Sequence, residues 1–262
     1  MTDDAPPLVR YAHADGVATL TLDSDRNRNA LSRRLVAELL AGLRAAVADP
    51  AVRVVVLDHV GRVFCAGADL AETAAAREAG QVPASDLPEL LAEIWDAPKP
   101  VVAQVGGPAR AGGLGLVAAC DVAVAADDAT FAFTEVRLGV IPAVISAPVL
   151  RRLPSRAAAE LYLTGTTFDA RRAADLGLLT AAVPAGELTG AVRGYVDGLL
   201  RGAPGALAGA KLLLRRGEPP IRAELDELAA LSAGYFLSTE GREGVAAFRE
   251  KRDPYWVPGV RG

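Results

Sequence analysis

Two glycine-rich turns, about one βαβ unit apart, constrain this chain more than any other feature. VFCAGADL at 63–70 follows the apolar run 53–57, and ARAGGLGL at 109–116 follows the apolar run 101–105. Each reads as a buried strand, a tight turn and a helix start. A helix N-terminus leaves backbone N–H groups without intrahelical partners, in a positive local field. If two such turns converge, they form a two-donor cradle for an oxygen that becomes negative during a reaction. Small residues are needed there, because a Cβ would collide with the bound group. Ala68 and Gly112 meet that requirement, and Glu135, in TFAFTEVRLGVIP at 130–142, is the candidate proton carrier just downstream.

The pattern around the turns is α/β. Alternating residues at 8–13 and 17–22 flank Asp15-Gly16 and predict an opening hairpin. Asn29 or Ser32 can cap a helix that runs to about Ala48, with Leu31, Leu35, Leu39 and Leu43 on one face. Strand signals follow at 53–57, 101–105, 121–126 and 130–133, with helical segments at 85–96 and 112–119 between them. That order predicts a mostly parallel, covered sheet. From about 154 the chain turns helical, at 155–162, 169–176, 186–201, 203–216, 220–238 and 240–251. The alanine-rich stretch 71–85 has little periodicity and reads as the segment most prone to move.

Composition removes several functions. With 262 residues, 51% hydrophobic and 23% charged, the chain suits one large domain or a core with an appendage. A net charge of −4 gives no basic footprint for nucleic acid. No stretch approaches membrane-spanning length, and the acidic, proline-bearing N-terminus does not read as a signal peptide, so the cytoplasm is the expected location. Cys65 and Cys120 share no metal spacing, and neither His13 nor His59 has a carboxylate at motif spacing, so no metal is expected and all four read as structural. AGGLG lacks the spacing of a dinucleotide fingerprint, and no phosphate loop is present.

Five segments resemble the crotonase, or enoyl-CoA hydratase/isomerase, superfamily: NRNALS (27–32), VFCAGADL (63–70), KPVVAQVGGPARAGGLGLVAACDVAVAADDATFAFTEVRLGVIP (99–142), LTGTTFDARRAADLGLLTAAVP (163–184) and EGREGVAAFREKRDPYW (240–256). They occur in the right order and cover nearly the whole chain. The resemblance implies a crotonase-like spiral of ββα units, with a core over 1–195 and a helical trimerisation region over 196–262. It implies a homotrimer or a dimer of trimers acting on an acyl-CoA thioester, with coenzyme A as part of the substrate and no further cofactor. It assigns the oxyanion-hole N–H groups to Ala68 and Gly112 and the acid–base role to Glu135. Arg28, Ala30, Ala66, Asp69, Leu70, Gly115, Pro142 and Lys251 would line the substrate and coenzyme A groove, with Arg26 and Arg252 as further cations near its phosphates.

The departures from the resemblance bear on the reaction. Hydratases of the superfamily usually carry a second glutamate three residues beyond the oxyanion glycine, where this chain has Gly115. Adding water to an enoyl thioester normally divides two proton transfers between two carboxylates, whereas moving a double bond needs one base. Hydration of a 2-enoyl-CoA is the nominal expectation. A Δ3/Δ2-enoyl-CoA isomerase is the alternative that the glycine favours, and a weak acyl-CoA-binding member is a further one. A second departure follows Ile141-Pro142, where Ala143-Val144-Ile145-Ser146 replaces the usual glycine-rich sequence and should reshape the acyl pocket. The bland role for Glu135 is a surface pair with Arg137, two residues on along a strand.

Overall fold

The computed structural model describes residues 6–79, 81 and 86–258. The chain opens with β1 (Val9–Ala14), β2 (Val17–Leu22), α1 (Arg33–Ala48), β3 (Val54–His59), α2 (Leu70–Glu78) and α3 (Leu87–Asp96). It continues through β4 (Val101–Val105), β5 (Ala109–Arg110), α4 (Gly112–Ala119), β6 (Val122–Ala126), β7 (Thr130–Ala132), α5 (Ala143–Val149) and α6 (Ser155–Thr164). It closes with β8 (Phe168–Asp169), α7 (Ala170–Asp175), β9 (Ala181–Val183), α8 (Leu188–Leu200), α9 (Pro204–Leu214), α10 (Ile221–Leu237) and α11 (Thr239–Glu250).

The larger sheet has the order β1-β2-β3-β4-β6-β9 and is parallel except for the β1–β2 hairpin. Asp15 and Gly16 both take positive φ, as a two-residue hairpin turn of matching twist requires. Alternate residues of the central strands face opposite layers. Val55 and Leu57 join Leu35, Leu39 and Leu43 of α1 and Leu90 and Ile94 of α3 in one core. Val54, Val56, Val102 and Val124 meet Leu188, Val192 and Val196 of α8 in another. Both faces are therefore dry, which is why these strands read as continuous apolar runs. The smaller sheet has the order β5-β7-β8, and its strands β5 and β7 lead into Gly112 and Glu135. This α/β layering with a helical C-terminal region is the architecture that the resemblance implies.

Two helices differ from the sequence expectation, and one alternative is resolved. The stretch expected to move is helical over Leu70–Glu78, because the Asp69 carboxylate caps it by accepting from the N–H groups of Ala71 at 2.9 Å and Glu72 at 3.2 Å. Residues 80 and 82–85 of that stretch lie outside the described residues. Helix α5 forms over a segment with no expected element. Ser32, not Asn29, caps α1, by accepting from the Leu35 N–H at 3.2 Å.

Candidate active site

The two glycine-rich turns meet. Cys65 and Ala109 form a parallel bridge, and the Arg110 N–H donates to the Cys65 carbonyl at 3.0 Å. Gly67, at φ +90°, lies where a Cβ would approach the Ala111 Cβ to 3.0 Å and the Arg110 carbonyl oxygen to 3.2 Å. Gly113 lies so close to Cys65 that a Cβ on it would sit 2.8 Å from the cysteine Cβ. Leu31 touches both turns. Its backbone bridges to Ala68, and its Cδ1 would lie 2.6 Å from a Cβ on Gly112. Ala68 is exposed, whereas Gly112 is buried at the first position of α4.

Backbone strain precedes Gly112. Ala111 is held at φ 47°, ψ −118°, a region that glycine tolerates far better. Its N–H donates to the Ala132 carbonyl at 3.3 Å and its carbonyl accepts from the Leu114 N–H at 2.9 Å, which hold the unusual geometry in place. A non-glycine residue there costs on the order of 1–3 kcal/mol, and such strain gathers at functional sites. The bond to Ala132 also extends the β5–β7 pairing, in which Arg110 stands opposite Ala132. Glu135 follows three residues after Ala132.

Glu135 opens a 3-10 turn, Glu135–Leu138, not a strand, so the alternation that would pair it with Arg137 does not exist. Arg137 instead donates to the Thr164 carbonyl at 3.3 Å. One carboxylate oxygen of Glu135, Oε2, is buried and accepts no hydrogen bond among the described residues. Burial raises its pKa from 4.5 to about 7, against a smaller opposing effect of its own backbone N–H. A carboxyl poised near neutrality with a free oxygen can both take and return a proton.

Around it lies a group that sequence reasoning missed. Tyr162, on α6, holds its ring 4.6 Å from that of Phe133 at a tilt of 49°, and its hydroxyl oxygen accepts from Ser146 Oγ on α5 at 3.4 Å. Ser146 is itself buried and donates to the Pro142 carbonyl at 2.7 Å. Burial raises the Tyr162 pKa, and the Glu135 charge adds to the rise, so the phenol and the carboxylate are within electrostatic reach. The available signal was a hydroxyl on the buried side of a helix, since a buried phenol needs a partner.

Asn29 is the second omission. It is fully buried at positive φ, and its amide donates to the carbonyls of Val60 at 3.0 Å and Val63 at 2.8 Å. Its Oδ1 accepts from the Ser24 N–H at 2.8 Å, so one side chain ties the loop before α1 to the loop carrying the first glycine-rich turn. Ala66 joins the same seam, its N–H donating to the Arg28 carbonyl at 3.0 Å. Asn27 adds a bond from its amide to Asp69 at 3.1 Å.

The other expected groove residues are spread around this seam. Arg26 and Arg28 are exposed on its outer side, Ala30 and Pro142 are buried, and Leu70 is half-buried at the mouth of a groove. That groove, of about 440 Å³, runs between α2 and α11 and is lined by Leu70, Ala71, Ala74, Ala75, Glu78 and Arg249. Lys251 is exposed at the end of α11, while Arg252 is engaged with Glu243 at 2.6 Å and Glu250 at 2.6 Å. Gly115 packs against Ile145 and Leu91. Burial pushes both thiols, Cys65 and Cys120, up to about 12, which keeps them unreactive. His59 accepts from the Gly106 N–H at 3.0 Å, and burial lowers its pKa, in keeping with a structural role. Among the described residues, no cluster of His, Cys, Asp or Glu is placed to hold a metal, and no helix is long and apolar enough to cross a membrane.

The family model for enoyl-CoA hydratase/isomerase matches residues 12–258. The chain belongs to that family. An enoyl-CoA hydratase from Mycobacterium avium is 46% identical, with a TM-score of 0.84 over 96% of this chain and 100% of that one. An enoyl-CoA isomerase/hydratase of Mycosarcoma maydis is 34% identical over 258 residues, or 94% of each chain. A methylmalonyl-CoA decarboxylase, solved with 2-nitronate-propionyl-CoA, is 27% identical with a TM-score of 0.84, over 97% of this chain and 100% of that one. This member of the hydratase/isomerase family is thus an enzyme acting on acyl-CoA substrates, on a scaffold that relatives use for more than one reaction.

Proposed function

We propose that the enzyme works through a thioester enolate and that Glu135 is its single acid–base group. The N–H groups of Ala68 and Gly112 would hold the thioester oxygen as it gains charge, and coenzyme A would lie along Arg28, Ala30, Ala66, Asp69 and Leu70, with Lys251 near its phosphates. The observation that carries this reading is the buried, unpartnered oxygen of Glu135 on a carboxyl poised at about 7. Hydration of a 2-enoyl-CoA is the nominal reaction. The second reading, a Δ3/Δ2-enoyl-CoA isomerase, is favoured by Gly115, which offers no second carboxylate. Absorbance of the conjugated thioester separates them. Loss from a 2-enoyl-CoA marks hydration, gain from a 3-enoyl-CoA marks isomerisation, and silence in both leaves only binding.

We further infer self-association as a homotrimer or a dimer of trimers. Leu212, Leu213 and Leu214 on α9 are each at least 70% exposed, and an apolar run of that size is unfavourable in water. Sedimentation of the purified chain tests this, and a monomer at micromolar concentration refutes it.

A further inference from the structure

The loops that carry the two glycine-rich turns are laced together before the turns themselves begin. The Phe64 and Cys65 N–H groups both donate to the Pro108 carbonyl, at 3.1 and 3.3 Å, and the Arg110 N–H donates to the Cys65 carbonyl at 3.0 Å. These rungs run from backbone to backbone and do not titrate. The rung at the base of the two loops is different. There the Gly106 N–H, just past β4, donates to His59 Nε2, at the end of β3, at 3.0 Å. The imidazole also stands edge-on to the buried ring of Phe64, with the ring centres 5.4 Å apart.

That rung fixes the state of the imidazole. A backbone N–H can only donate, so Nε2 must hold a lone pair and the ring proton sits on Nδ1. Nδ1 lies 3.3 Å from the Val60 carbonyl, and the Val63 carbonyl also acts on the ring. Those are the two carbonyls to which the Asn29 amide donates, so His59 and Asn29 grip the same stretch of the first loop. His59 extends that grip to the second loop. A second ring proton would set N–H against N–H at Gly106 and open the rung. Burial works most strongly against that cation and lowers the pKa from 6.5. The charged groups that act on the ring among the described residues are Asp58, beside it on β3, and Asp25, in the 25–27 turn that packs on Gly61. Both favour the cation by less than burial disfavours it, and the remaining neighbours Gly106, Phe64, Val60 and Val63 are uncharged.

We propose that neutral His59 is a positioning residue for the oxyanion cradle, locking the base of the second loop to the first and so fixing the separation of the Ala68 and Gly112 N–H groups. This rests on the reading of those two groups as the donors. The span from Gly106 to Gly112 has no slack to absorb movement at its base. It is joined to the first loop at Pro108, Ala109 and Arg110, and Ala111 is bonded to Ala132 and Leu114. When His59 gains a proton the rung opens, the two donors lose their register, and the enolate is held less well while the fold remains.

Imidazole NMR and an exchange assay test this together. The chain has two histidines, His13 and His59, so isotope-labelled histidine gives two rings and His13→Gln assigns them. His59 should show the Nδ1–H tautomer and titrate below 6.5, and an Nε2–H tautomer refutes the rung. Activity is read as solvent deuterium exchange at the α-carbon of butyryl-CoA. In that reaction Glu135 removes the α-proton, the electron pair passes to the thioester oxygen, and a deuteron returns to the carbon. His59→Gln offers an acceptor near the Nε2 position and does not titrate. The ratio of wild-type to His59→Gln kcat/KM should be level above neutral pH and fall roughly tenfold as the imidazole gains its proton, the scale of one lost hydrogen bond. His59→Phe keeps a ring against Phe64 without an acceptor, and should exchange roughly tenfold more slowly than His59→Gln above neutral pH. Circular dichroism over the same pH range checks the fold. A ratio that stays within about twofold through the titration, or a folded His59→Phe within about twofold of His59→Gln, refutes the positioning role. If His59→Phe does not fold, the pH dependence of the other two proteins still decides. Normal exchange in Gly112→Val would overturn the underlying reading of the donors instead, and would leave the tautomer result standing.

Discussion

Gly115 and Ile145 are packed so closely that a Cβ on the glycine would lie 2.6 Å from the isoleucine Cγ2 and 3.1 Å from its Cβ. The glycine at 115 and the branched residue at 145 are one arrangement. The helix that follows Ile141-Pro142 places an aliphatic side chain in the room that a side chain at 115 would need. A single Gly115→Glu substitution should therefore lower stability and leave hydration no better, since overpacking typically costs about 1–3 kcal/mol and an unpartnered carboxylate stays protonated. Gly115→Glu combined with Ile145→Gly should recover stability and raise hydration of crotonyl-CoA above that of the single variant. Denaturant unfolding with steady-state assays checks both, and a gain in hydration from Gly115→Glu alone contradicts the packing argument.

Glu135 sets a pH signature in activity and another in stability. With a carboxyl at about 7, kcat/KM for a step begun by base should rise with pH to a plateau above that value, and the rise should vanish in Glu135→Gln. The rate of that variant should fall by ~10²-fold or more, in the range of general acid–base groups. For stability, the native carboxyl holds a proton between pH 4.5 and about 7 that the unfolded chain has released. Stability contributed by this group therefore declines as pH rises through that window and is level above it. Glu135→Gln should remove the decline and be the more stable protein at pH 8. Equal pH dependence of unfolding in the two proteins would place the carboxylate in water.

Much of this frame was legible in the sequence because local pattern and tertiary contact agree. The stripe Leu35, Leu39 and Leu43 specifies the buried face of α1, and valine runs specify strands covered on both sides. Alanine gives no such contrast, so α2, built largely from it, had no visible periodicity. Helix α5 is a short apolar segment interrupted by Pro148, and it holds its shape by packing on α4 and α10. The role of Asn29 was hidden for another reason. Its acceptors, Val60 and Val63, are 31 and 34 positions away in sequence, and nothing local marks them. The convergence of the two turns followed from their placement after strands, whereas the Tyr162–Ser146 contact joins two helices whose approach no motif encodes.

The second candidate donor can be tested at Gly112. A Cβ there would lie 2.6 Å from Leu31 Cδ1 and 3.5 Å from Leu87 Cδ2, both ends of side chains that can yield. Gly112→Val should therefore fold, while its side chain displaces Leu31 and intrudes beside the N–H. Activity should fall by roughly 10²–10³-fold, as for the loss of one oxyanion donor. Circular dichroism and turnover on the same preparation decide the matter, and a well-folded variant of normal activity would relocate the cradle.

The last prediction concerns the anchoring of α9. Lys211, 7% exposed, donates to Asp121 Oδ2 at 2.6 Å and to the Lys99 carbonyl at 3.1 Å. Asp121 also accepts from the Val101 N–H at 2.8 Å and from Arg215 at 3.2 Å, and Arg215 lies 4.6 Å from the centre of the Trp95 ring. The cluster clamps α9, with its exposed leucines, onto the junction of α4 and β6. Burial disfavours the lysine cation and the Asp121 charge favours it, so the buried lysine depends on the aspartate. Lys211→Met leaves the aspartate facing Arg215 and Val101, whereas Asp121→Asn strands two cations. Breaking a buried pair in this way typically costs about 3–5 kcal/mol, so Asp121→Asn should approach that loss and Lys211→Met should lose less. The double variant should be more stable than Asp121→Asn alone, because it removes one of the stranded charges. Urea unfolding of the four proteins gives the coupling energy, and strictly additive losses would mean that the two side chains act independently.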